Sequence, residues 1–132
     1  MSLRRLLASL GRSGASTMEF VLTIPIALVV IFGSVQIGLV FWADAGLQNA
    51  LGDAARVATL WPRRSNTEIA AVFDARKFGL DPAGLSTPVI TTGTQNGEDF
   101  VQIQASYQTS INFILFDVPG ITLSHTRLAY RP

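Results

Sequence analysis

Between Glu19 and Asp44 stand 24 consecutive uncharged residues, FVLTIPIALVVIFGSVQIGLVFWA, and few small water-soluble folds can accommodate such a run. At about 1.5 Å per residue a helix of this length extends about 36 Å, enough to cross a hydrocarbon core of roughly 30 Å with modest tilt. The alternative is a buried core helix. It would require the 89 residues from Asp44 onward to cover an apolar cylinder on every side, so the run predicts a single membrane span.

Charge placement predicts its direction. Arg4, Arg5 and Arg12 precede the run with no acid among residues 1–14, whereas residues 44–132 hold seven bases and eight acids. That asymmetry predicts an N-terminus in the cytoplasm and a C-terminal part outside. Residues 1–14 then form a basic leader, 15–43 a transmembrane helix, and 44–132 an exterior module. Cleavage after Ala45, in Ala43-Asp44-Ala45, would instead make the run a secretory signal and release the module. Against this, secretory apolar regions are about 7 to 15 residues long, and Glu19 interrupts the passage from basic leader to apolar run.

Apolar residues make up 48% of the chain and charged residues 14%, too greasy a composition for disorder. With no Cys, one His and a net charge of +1, thiol chemistry, disulfide frameworks and zinc-finger spacing are excluded, and nucleic-acid binding gains no support. His125 lies in a strand-like segment with no nucleophile elbow, and no metal ligand stands at useful spacing from it. Glu98-Asp99 follow a turn, where solvation explains them, and no glycine-rich phosphate loop follows a strand. The chain therefore reads as non-enzymatic, with no cofactor, no metal and no small-molecule substrate.

The junction Gly14-Ala15-Ser16-Thr17-Met18-Glu19-Phe20 has two readings. Ser16 with Glu19 three residues on forms a capping box, with the acid at the positive end of the helix dipole. That reading leaves the glycine and the basic leader unexplained. The same residues resemble the prepilin family, whose members carry a short basic leader, a Gly before the cut and a Glu at the fifth position of the mature chain. Within it, the chain resembles TadE-like pseudopilins of the tight-adherence (Tad, or Flp) pilus system. The junction, Pro25, Phe32-Gly33, Gln36-x-Gly38 and Ala54-Ala55-Arg56 carry the resemblance, over about residues 8 to 58. A long region after the helix, and Glu19-Phe20 where the major Flp pilin usually has Glu-Tyr, resemble a minor pseudopilin rather than the fibre subunit.

The resemblance implies that a prepilin peptidase cuts between Gly14 and Ala15 at the cytoplasmic face of a bacterial inner membrane. It also implies partners among pilin-like subunits and the inner-membrane assembly platform, a part in pilus-mediated adhesion, and an assembly or register role for Glu19 and Phe20. An ionised Glu at the bilayer centre costs on the order of 2.5 to 3.5 kcal/mol, and less near the interface, so Glu19 gains from a cation such as a new ammonium at Ala15. Pro25 removes a backbone donor and clashes with the Val21 carbonyl, which means either a kink or a membrane proline tolerated through neighbours such as Thr23. Ser34, Gln36 and Gly38 combine two small residues four apart with an amide, either a helix-contact motif in lipid or a solitary tolerated amide. Trp42 suits the outer interface.

The fold class expected is α+β and pilin-like: a long helix, a short helix and a small antiparallel three-stranded sheet. The long helix is expected from near Ser16 to about Leu60, with Leu47, Leu51, Ala54, Ala58 and Trp61 on the packed side. Arg56 pairs with Asp53 or a neighbouring chain, or is simply solvated. Ser65 and Glu68 predict a capping box for a helix over 66–78, with Gly79 as its stop. Strands are expected at 88–92, at 99–109 with Val101, Ile103, Ala105 and Tyr107 on one face, and at 121–130. Asn96-Gly97 makes the first hairpin turn and Pro119-Gly120 introduces the last strand. The apolar stretch Ile111 to Val118 is too short to cross a membrane as a helix; it caps the sheet or forms a partner-facing patch.

Overall fold

A computed structural model describes the backbone of residues 3–131 and the side chains of residues 16–131. Helix α1 covers Leu3–Ala58, α2 covers Asn66–Arg76, and strands β1 Val89–Gln95, β2 Glu98–Asn112 and β3 Asp117–Arg131 follow. The sheet is antiparallel in the order β1-β2-β3. This is the expected α+β arrangement.

α1 begins earlier than expected. Ser16 is an interior helical residue, so its spacing to Glu19 does not cap the helix: the leader continues the same backbone ladder and leaves no orphan amides at Ser16. At the other end α1 stops at Ala58 and tightens, with the amides of Thr59 and Leu60 donating to Arg56 and Val57 at 3.1 and 3.2 Å. Trp61 consequently leaves the helical phase and is 79% exposed rather than packed.

α2 forms as its cap dictates. The Ser65 hydroxyl accepts from the Glu68 amide and the Glu68 carboxylate accepts from the Ser65 amide. The helix closes at Arg76, before Phe78, because Lys77 is extended; Gly79 then turns the chain at φ +67°. In the first hairpin Asn96 and Gly97 both have positive φ, as a two-residue turn between twisted strands requires.

β3 starts at Asp117, before Pro119-Gly120 rather than after it. These two residues stand opposite the single Ser110, a bulge in which Gly120 adopts φ +76°. Because β3 is an edge strand, Pro119 can lack a donor without breaking the sheet.

One core joins these elements. Ala43, Leu47, Ala50, Leu51, Ala54 and Ala58 of α1 meet Ile69 and Phe73 of α2 and Val101, Ile103, Ala105 and Tyr107 of β2. The alternation along β2 puts those four residues on the packed face as their spacing predicts. Four alanines on the α1 stripe let the sheet and α2 approach the helix axis closely.

Candidate functional site: the junction and the apolar face of α1

Gly14 and Ala15, the expected cleavage pair, lie outside the residues described in side-chain detail. Glu19 and Phe20 follow on an exposed surface of α1, with Phe20 64% exposed. From Ser16 through Phe32 α1 carries almost no cover of its own: Met18, Val21, Leu22, Ile26 and Ile31 are each more than half exposed. Among the described residues one helix is long and apolar enough to cross a membrane, with a mean hydropathy of 2.4 over its best window.

Pro25 sits inside α1 and the helix continues through it. The Thr23 hydroxyl donates to the Glu19 carbonyl at 2.7 Å, so it does not serve the Val21 carbonyl that Pro25 leaves without its helical donor. Ser34 likewise donates back to Val30 at 2.7 Å.

Helical geometry divides the three residues of the expected contact motif. Ser34 and Gly38 share a face one turn apart, whereas Gln36 points nearly opposite them. A Cβ on Gly38 would meet nothing within 4 Å, and Ser34 is exposed. Gln36 is half-buried and lines a groove with Trp42, Asp81, Tyr107, Thr109 and Ser110, against the chain's own module.

Three close approaches fasten the module to α1. A Cβ on Gly33 would come within 2.5 Å of the Phe113 ring, one on Gly46 would collide with the Phe78 carbonyl, and one on Gly79 with the Trp42 indole. Trp42 and Phe78 pack edge to face with centroids 5.2 Å apart.

A short polar contact across the joint ties Asp44 to His125. His125 Nε2 and Asp44 Oδ1 are 2.6 Å apart, and Gln48 donates to the other carboxylate oxygen at 2.7 Å. The sequence carried a signal for this contact. His125 shares the β3 face of Leu123 and Ala129 by the period of two, so it points at α1. Asp53 faces Arg76 at 3.6 Å rather than Arg56, which is exposed. At the far end of the sheet Arg63 reaches Asp99 at 2.8 Å. Hydrogen bonds from Thr94 and Arg63, and the latter's charge, hold the Asp99 carboxyl below its ordinary range.

Against known families, residues 14–56 match the model of a family described as TadE-like protein. The chain carries a TadE-like segment. It opens at Gly14, at the head of the junction, runs through the apolar part of α1 and ends at Arg56, just short of the end of the helix. The matched segment thus covers the apolar helix and the α1 half of the core. α2 and the sheet lie beyond it. No curated protein and no solved structure matches the chain.

Proposed function

We propose that this chain is a minor pseudopilin: a non-catalytic membrane component that helps assemble or initiate a Tad-type pilus after prepilin peptidase removes residues 1–14. The carrying observation is that the TadE-like match opens at Gly14 and takes in the apolar helix behind it. In this reading residues 15–43 anchor the chain in a bacterial inner membrane, with the N-terminus cytoplasmic and the module periplasmic. The arginines of the leader support that direction.

Cleavage places an ammonium at Ala15, one helical turn from Glu19 and within reach of it in the same or a neighbouring subunit. A carboxylate entering hydrocarbon gains most from such a partner. Processing and subunit register are then linked through Glu19, with Phe20 beside it. The open Ser34 and Gly38 face suits close approach of another pilin-like helix, while Gln36 faces the module.

The test is pilus number in the native host carrying Glu19→Ala. The proposal expects membrane-resident protein with piliation lost or sharply reduced. Full piliation in that strain removes the assembly role of the carboxylate and leaves a plain anchored adaptor.

A further inference from the structure

The β2–β3 hairpin ends in four apolar residues, Phe113-Ile114-Leu115-Phe116, between Asn112 and Asp117. Ile114, Leu115 and Phe116 are 56%, 72% and 56% exposed. This tip lies beside α1 rather than at the distal end of the module, because Phe113 rests on Gly33, a glycine within the apolar run. Gly33 is ten residues before Ala43, about 15 Å further along the helix toward its N-terminus. The tip therefore stands level with the exposed Ile31, Phe32 and Val35. Leu115, two residues after Phe113, lies at a similar depth along the helix.

Part of the tip's hydrogen-bonding capacity is met within the loop itself. Phe113 N donates to Phe116 O at 2.8 Å, Ile114 N to Asn112 Oδ1 at 3.0 Å, and Leu115 N to the Phe113 carbonyl. Three successive amides thus find partners within residues 112–116, which lowers the cost of carrying the tip out of water. Phe113 and Phe116 stack with centroids 4.9 Å apart. Ile114 holds a φ of +53°, where glycine or asparagine is the usual occupant and a β-branched side chain is strained. Keeping isoleucine there makes sense where its apolar side chain is in use.

We infer that the Phe113–Phe116 tip enters the bilayer beside α1, in the leaflet on the module's side, so that two elements meet hydrocarbon instead of one. The inference rests on the reading of α1 as a membrane span. It also moves the edge of the hydrocarbon. Gln36 lines a groove with Thr109 and Ser110, and Asp117 pairs with Asn112 at the base of the tip; a boundary at Gln36 and Asp117 leaves residues 16–35, about 30 Å of helix, to fill the hydrocarbon. Phe41 and Trp42 then stand among headgroups, where amphipathic aromatics are at home. Glu19 falls within one turn of the opposite edge.

The chain has no cysteine, so single-cysteine variants of the full-length protein can each carry one environment-sensitive fluorophore. Leu115→Cys tests the tip, Ile31→Cys reports the helix at the same depth, and Gln95→Cys, at the other end of the sheet, reports water. All are reconstituted in phosphatidylcholine vesicles and quenched by spin-labelled lipid or by aqueous iodide. The expected result is that the label at 115 loses emission to spin-labelled lipid as the label at 31 does and is shielded from iodide, with the opposite pattern at 95. A label at 115 that behaves like the one at 95, while 31 remains lipid-quenched, overturns the inference and spares the span. A label at 115 shielded from both quenchers means that protein, such as a second copy, covers the tip, and overturns it equally. Loss of lipid quenching at 31 sinks the span itself and the inference with it.

Discussion

Single side chains decide how the module is held against the helix. Asp44 receives two hydrogen bonds, from His125 across the joint and from Gln48 one turn along α1. Replacing His125 with Ala removes the cross-element bond and leaves a half-buried carboxylate short of a partner. The expected cost is about 1 to 2 kcal/mol, read as a lower denaturation midpoint of the detergent-solubilised protein; an unchanged midpoint contradicts it. Glu68 makes a prediction in pH. The Ser65 amide, then its hydroxyl and Arg64, hold the Glu68 carboxyl below its ordinary value. A carboxyl depressed in the fold contributes stability that is complete above the ordinary glutamate pKa and lost as pH falls through the lowered one. The stability gap between the native chain and Glu68→Gln should therefore shrink on acidification below that range. A gap that stays constant with pH would count against the cap.

At the scale of elements, α1 does two jobs with one backbone. From Phe20 to about Val35 it is uncharged and largely apolar on every side and suits lipid, while from Ala43 on it is a one-sided stripe of alanine and leucine that packs. Two glycines in the second part predict opposite outcomes. Gly46→Ala drives a methyl into the Phe78 carbonyl, backbone that cannot give way, and should destabilise by about 1 to 3 kcal/mol. Gly52→Ala meets open space and should stabilise by about 0.5 to 1 kcal/mol through helix propensity. Thermal melts of the two variants check the pair, and a common sign for both would contradict the packing described.

Local signals made some elements readable from sequence: the reciprocal Ser65 and Glu68 cap, Asn96-Gly97 in its turn, and the alternation from Val101 to Tyr107. Other features depended on distant partners and so escaped it. Ser16 looks like a cap only if the leader is ignored. Trp61 continues a periodicity that the backbone has already abandoned. The contact of Phe113 with Gly33 joins residues eighty apart in sequence. Of the candidate site, the apolar run, the junction and the divided faces of Ser34, Gln36 and Gly38 follow from sequence order and helix geometry, whereas the turning of Gln36 toward Thr109 and Ser110 needed the fold.

The whole molecule is a sheet and a short helix laid along one long helix, tied by Phe113 on Gly33 and by His125 on Asp44. Half of the core cluster, Ala43 to Ala58, comes from α1, so the sheet cannot bury its apolar face without it. A fragment of residues 43–131 should fold in water, while one of residues 60–131 should not; circular dichroism of the two decides, and a cooperative melt of the shorter fragment would contradict this dependence. The packed stripe and the candidate membrane span share one continuous helix. The central claim remains the processing that makes this helix a pilin-type anchor. Its most direct test is the N-terminal residue and intact mass of the protein recovered from membranes of its native host. The account predicts a chain that begins at Ala15. A membrane-bound chain beginning at Met1, or a soluble one beginning at Gly46, would contradict it.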